Sequence, residues 1–190
     1  MKFAVIFTLP LALSLVIAIN AAEVPSVELN VGDAAPEFSA KTDAGQTWNS
    51  KDHADKTVVV YFYPAAMTGG CTKQACAYRD DAAKLAEQEV EVVGVSGDFV
   101  DGLALFKKAE ALNYTLLSDP DGEVAKKFGV PLGEGSEIKR EVDGQEHTLK
   151  RGVTAKRWTF VVKGGKVVYK NTAVDAAGDS KAVAAFLAKE

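Results

Sequence analysis

Two thiols stand close together in the stretch TVVVYFYPAAMTGGCTKQACAYRD, Thr57 to Asp80: Cys71 and Cys76, the only cysteines of the chain. Sulfur chemistry is what such a pair offers. The β-branched and aromatic run Val58 to Tyr63 predicts a strand, Pro64 stops it, and a loop of small residues leads into a segment with helical spacing. With the helix starting near Gly70, Cys71 lies in its first turn. Unpaired backbone N–H groups and the positive end of the helix dipole there favour the thiolate, which is the nucleophilic form. Cys71, Ala75, Tyr78, Ala82 and Leu85 follow three- and four-residue steps, so they form the face turned to a sheet. Cys76 is rotated by about 140° from Cys71, and at helical pitch their Cα atoms stand roughly 8 to 9 Å apart. That exceeds the roughly 7 Å a disulfide spans. A bond between them requires the first turns to unwind, which suits a disulfide that forms and is reduced again better than a staple. The plainer alternatives for two cysteines are a structural disulfide or inert core residues.

Pro64, Thr68 and Cys71, in the pattern P-x-x-x-T-x-x-C, resemble the active-site signature of the peroxiredoxins. The longer string FYPAAMTGGCTKQACAYRD is similar to the peroxiredoxin Q group, also called bacterioferritin comigratory proteins. Further matches are Gly32, Ala35, Pro36 and Phe38 in a G-x-x-A-P-x-F opening, GVSGD ending at Asp98, LNYTLLSDPDGEVAKKFGV from Leu112 to Val130, and RWTFVV from Arg157 to Val162. The resemblance implies a thioredoxin-like fold and a thiol-dependent peroxidase for hydrogen peroxide and organic hydroperoxides, with no metal or organic cofactor. It implies Cys71 as the peroxidatic cysteine, oxidised to a sulfenic acid, and Cys76 as the resolving one. A thioredoxin-like reductant would recycle the pair, and a monomer is expected. By the same resemblance the Thr68 hydroxyl, the Arg157 guanidinium and the N–H groups of the Thr68–Cys71 turn are donors to the peroxide oxygens, and Pro64 shields the sulfur. Plainer roles exist for two of them, Thr68 as a helix cap and Arg157 as a surface charge at a strand start, while Arg79, outside the catalytic set, either pairs with a helix carboxylate or lines the site. One departure is Gly69, where related sequences often carry proline, which predicts a looser loop.

Such residues need a frame. VGDAAPEFSAKTDAGQTWNS, from Val31, predicts an N-terminal hairpin around its DAG turn. Val58–Tyr63, the cysteine helix to about Gln88 and the apolar run Val90–Val95 form a βαβ unit, whose loops at the strands' C-terminal ends are the functional ones. A helix near Val100–Leu112, with Leu105, Ala109 and Leu112 inward and Lys107, Lys108 and Glu110 solvated, precedes a strand at Thr115–Leu117. Asp119-Pro120-Asp121 opens a helix ending at Phe128, stopped by Gly129 and Pro131. Leu132 to Lys156 reads either as an exposed hairpin turning at Asp143-Gly144 or as a mobile loop, and substrate access or reductant docking would differ there. Arg157–Val162 and Lys166–Lys170 pair across Gly164-Gly165, and Asp179 caps a last helix with Val183, Phe186 and Leu187 inward. The whole is an α/β thioredoxin-like fold with an N-terminal β-hairpin extension and a charged insertion before the penultimate strand.

Residues 1–22 read as a signal peptide: Lys2, an apolar run from Phe3 to Ile19, then Ala21 and Ala22. An uncleaved membrane anchor is the alternative, and only then would the protein contact a membrane. Either way residues 23–190 form a single domain facing a periplasmic or other extracytoplasmic space. With 47% apolar and 25% charged residues and a net charge of −4, the chain has the makings of a full core and argues against nucleic acid or an anionic membrane surface as partner. Two other readings compete with the peroxidase. A thiol-disulfide oxidoreductase would normally use C-x-x-C, which the spacing here does not match. A non-catalytic copper-binding module would need His53 or His147, both expected to be exposed bystanders.

Overall fold

The computed structural model describes Met1 and residues 28–189, so the expected leader, Met1 apart, lies outside the described residues. Among the described residues nine strands and four α-helices follow in the order β1 Ser39–Thr42, β2 Thr47–Asn49, β3 Thr57–Phe62, α1 Gly69–Ala86, β4 Val90–Ser96, α2 Val100–Ala109, β5 Thr115–Ser118, α3 Glu123–Lys127, β6 Leu132–Val142, β7 Gln145–Ala155, β8 Trp158–Lys163, β9 Lys166–Asn171 and α4 Asp179–Leu187. Seven strands make one sheet in the order β2-β1-β5-β4-β3-β8-β9. Its centre, β3, β4 and β5, is parallel, while β1 and β8 flank it antiparallel. The central strands read as unbroken apolar runs because both faces are covered. Residues of α1, α2 and α4 pack on one face with Val59, Tyr61, Tyr63 and Val161. Val124 and Phe128, from α3 and its end, pack on the other with Phe38, Trp48, Val60 and Phe160. Among the described residues no helix is long and apolar enough to cross a membrane.

The N-terminal extension is the hairpin β1–β2, joined to the sheet through β5. The charged insertion is also a hairpin, β6–β7, turning at Asp143-Gly144, both with positive φ. It makes a separate two-stranded sheet that closes across the C-terminal ends of the parallel strands. Gly152 N–H donates to Gly97 O at 3.0 Å, and Phe99 N–H to Lys150 O at 3.2 Å. Glycine is required at this contact: a Cβ on Gly97 would lie 2.1 Å from Val153 O, and one on Gly152 would lie 2.2 Å from Pro120 O.

Three expectations need correction. Gly102, Leu103 and Phe106 form the buried face of α2, whereas Ala109 is exposed and Leu105 only half-buried. The helix stops at Ala109 and Ala111 takes a left-handed φ of 50°, so the helical phase cannot be carried through to Leu112. Asp179 does not cap α4: Gly178 holds that position and the Asp179 side chain is buried. The histidines are not fully exposed. His147 is half-buried, and His53 stacks on Trp48 at 4.5 Å with Nδ1 2.7 Å from Glu91 Oε2.

Candidate active site

The reactive loop, residues 63–68, leaves β3 at its C-terminal end and enters α1. Thr68 is the N-cap residue, with extended φ and ψ of −108° and 150°, but its side chain makes no capping bond. Its hydroxyl donates instead to Ala65 O at 2.9 Å. That engages its one proton and leaves the lone pairs of its oxygen open. Pro64 sits half-buried at the bend. Met67 has a φ of 57°, a conformation that side chains other than glycine rarely adopt.

Cys71 lies in the first turn of α1 and is 2% exposed. Arg157, immediately before β8, donates from Nη2 to Cys71 Sγ at 3.3 Å and from Nη1 to Gln74 Oε1. The guanidinium passes close to Gly70, where a Cβ would stand 3.3 Å from Nη2. A guanidinium and the N-terminal end of a helix therefore meet at one buried sulfur. Cys76 is on another flank of α1 and half-buried, donating from Sγ to Glu110 Oε2 at 3.6 Å. Both cysteines are free, so no disulfide staples the structure.

A family model described as AhpC/TSA family matches residues 31–170. The chain belongs to the AhpC/TSA family. Peroxiredoxin Bcp of Escherichia coli K12 is 46% identical over 116 residues, which span 61% of this chain and 74% of that one. A putative peroxiredoxin of Mycobacterium tuberculosis is 39% identical over 154 residues, 80% of this chain and 91% of the relative. Among solved structures, the peroxidoxin BcpB of Mycobacterium tuberculosis superposes with a TM-score of 0.70 at 34% identity, covering 85% of this chain and 98% of its own. The likeness to the peroxiredoxin Q group and the thioredoxin-like fold that it implied are both borne out.

Sequence reasoning named the sulfur, the guanidinium and the loop but not what steadies them. Gln74, fully buried and one turn after Cys71, accepts from Arg157 and donates from Nε2 to Asp179 Oδ2 at 2.7 Å. The same carboxylate oxygen accepts from Tyr78 Oη at 2.9 Å and Thr159 Oγ1 at 2.7 Å. Arg157 is thus held from behind by a carboxylate-anchored amide. A signal for Gln74 existed: it lies three residues after Cys71 on the face expected to pack on the sheet, where a polar residue needs a partner. No comparable signal marks Asp179, which comes from the far end of the chain. The β6–β7 hairpin also reaches the loop, through Arg140 Nε donating to Met67 O at 2.9 Å. Arg79 bonds to Asp80 and to Glu110 O and stands apart from this network. Among the described residues no group of three or more His, Cys, Asp and Glu is placed to hold a metal ion.

Proposed function

We propose that the chain reduces hydrogen peroxide and organic hydroperoxides at Cys71, with Cys76 resolving the product and a thioredoxin-like protein restoring both thiols. The observation that carries this reading is Arg157 Nη2 at 3.3 Å from a buried sulfur in the first turn of a helix. The Cys71 thiolate attacks one peroxide oxygen, the O–O bond breaks, and the departing hydroxide or alkoxide takes up a proton. Arg157 and the free N–H groups of the first turn stabilise the charge that grows on the two oxygens. Thr68, its own proton committed to Ala65 O, accepts the O–H of the peroxide and so orients it. Pro64 and the buried loop keep bulk water from the thiolate.

The sulfenic acid left on Cys71 is then attacked by Cys76, forming a disulfide and water. The unwinding of the start of α1 that this requires is part of the proposal. So are the extracytoplasmic location read from the leader and a reductant belonging to that compartment.

One equivalent of hydrogen peroxide added to the reduced protein should convert both thiols to an internal disulfide within seconds, followed by mass spectrometry after alkylation. Cys71→Ser should consume no peroxide. Cys76→Ser should complete one turnover and retain a sulfenic acid that dimedone traps. Equal peroxide consumption by the two variants would exclude the assignment.

A further inference from the structure

Behind its reactive turn, α1 is fastened to the connection between α2 and β5. Tyr114 Oη donates to Ala75 O at 3.0 Å, Arg79 Nη1 to Glu110 O at 2.7 Å, and Asn113 Nδ2 to Arg79 O at 3.2 Å. Cys76 sits among these ties with its Sγ against Glu110 Oε2. Gly69 to Lys73, by contrast, is tied by side-chain hydrogen bonds, among the described residues, only through Cys71 to Arg157. The segment that unwinds most easily is therefore the one that carries Cys71, while Cys76 stays beside a carboxylate.

We propose that Glu110 is the general base of disulfide formation, receiving the Cys76 proton as the Cys76 sulfur attacks the sulfenic sulfur of Cys71. This rests on the peroxidase reading above. The balance is closed within the protein. The Cys76 S–H and Cys71 S–O bonds break and the S–S bond forms. The proton passes to the Glu110 carboxylate and on to the departing hydroxide, which leaves as water. The sulfenic sulfur is reduced as the thiol sulfur is oxidised, so no outside oxidant enters.

A base is needed here because Cys76 keeps its proton at neutral pH. Burial pushes its thiol above the ordinary value, the Glu110 and Asp80 carboxylates add to the effect, and Arg79 opposes it. The charged and titratable groups facing the sulfur are Arg79 and Asp80 from α1, Glu110 at the end of α2, and Tyr114 from the connection to β5. Arg79 is a cation already paired with Asp80, and burial holds the Tyr114 phenol far above neutrality. Glu110 remains, and among the described residues its carboxylate has no other hydrogen bond or ion pair than the one with Cys76.

Glu110→Gln keeps the side chain's size and an acceptor oxygen but cannot take a proton, so it separates proton transfer from support of the fold. Reduced protein is mixed with one equivalent of hydrogen peroxide, quenched at intervals with acid, alkylated and analysed by mass spectrometry across a pH series. Sulfenic acid should form on Cys71 at the same rate in both proteins. Disulfide formation in Glu110→Gln should be slower by roughly a hundredfold at neutral pH. It should also rise about tenfold per pH unit as hydroxide replaces the base, while the wild-type rate stays level near neutrality, and Glu110→Asp should recover part of the loss. Equal disulfide rates and pH profiles in wild type and Glu110→Gln would overturn the proposal while leaving the peroxidase reading intact. A wild-type protein that forms no sulfenic acid on Cys71 would overturn both.

Discussion

Arg151 and Asp98 form an ion pair sealed inside the protein, with Arg151 Nε donating to Asp98 Oδ1 at 3.0 Å and side-chain exposures of 4% and 0%. The other carboxylate oxygen accepts from the Ala66 N–H at 2.8 Å and from Ser96 Oγ at 2.9 Å. One carboxylate thus joins the end of β4, the reactive loop and the β6–β7 hairpin. The charged insertion is a wall of the site and is bonded to the loop that presents the sulfur.

Arg151→Leu would leave Asp98 buried without its cation, and the loss of one partner of such a pair costs about 3–5 kcal/mol. Urea unfolding should show a destabilisation of that order. The double variant Asp98→Asn with Arg151→Leu should regain a good part of it, because no uncompensated charge remains inside. A single-variant cost below about 1 kcal/mol, the range of exposed pairs, would mean that the pair is not sealed from water in solution.

What the sequence conveys follows from range. Val58 to Val95 is legible as strand, loop, helix and strand because an apolar run, a proline and a helical period are all local signals. Asp143-Gly144 announces the turn of the insertion for the same reason. The burial of Arg151 is not announced, since a basic residue in an alternating polar strand reads as solvated until its partner 53 residues earlier in the chain is known. Asp179 at a helix start reads as a cap, yet Gln74, Tyr78 and Thr159 together outweigh that local role. The buried sulfur of Cys71 and its arginine were therefore readable, whereas of the groups that steady them Gln74 left a local signal and Asp179 left none.

Arg157→Lys tests how far the fork of the guanidinium matters. One ammonium is a poor substitute for a plane that serves Cys71 Sγ and Gln74 Oε1 from separate nitrogens. Loss of one preorganised donor to developing negative charge costs roughly a hundred- to a thousandfold. The second-order rate of Cys71 oxidation should fall within that range while the unfolding midpoint changes little, and stopped-flow peroxide consumption reads it directly. A lysine variant within about threefold of wild type would show that charge alone suffices.

Gly69 is the point at which the loop departs from its resembling family, and the structure has room for the proline found there. Gly69 is the first residue of α1, a Cβ on it would meet nothing within 4 Å, and Thr68 before it is already extended, as a residue preceding proline must be. Gly69→Pro should raise stability by about 0.4–1 kcal/mol through the unfolded state, detected as a higher thermal midpoint. Destabilisation would show that the glycine's freedom is used in the folded protein.

Glu91 should make stability depend on pH in one direction. Burial works against its ionised form. Hydrogen bonds from Trp48 Nε1 at 3.0 Å, the His53 ring and Lys56 Nζ at 3.2 Å nonetheless bring its carboxyl below the usual glutamate value. A carboxyl depressed on folding contributes stability that is complete above the unfolded value of about 4.3 and is lost as pH falls through the lower folded value. Urea unfolding of wild type and Glu91→Gln should therefore differ most near neutral pH and converge as the pH drops below the ordinary carboxylate range. A difference that stayed constant across that range would mean that the variant acts by lost packing around Trp48 and His53 and not by lost charge.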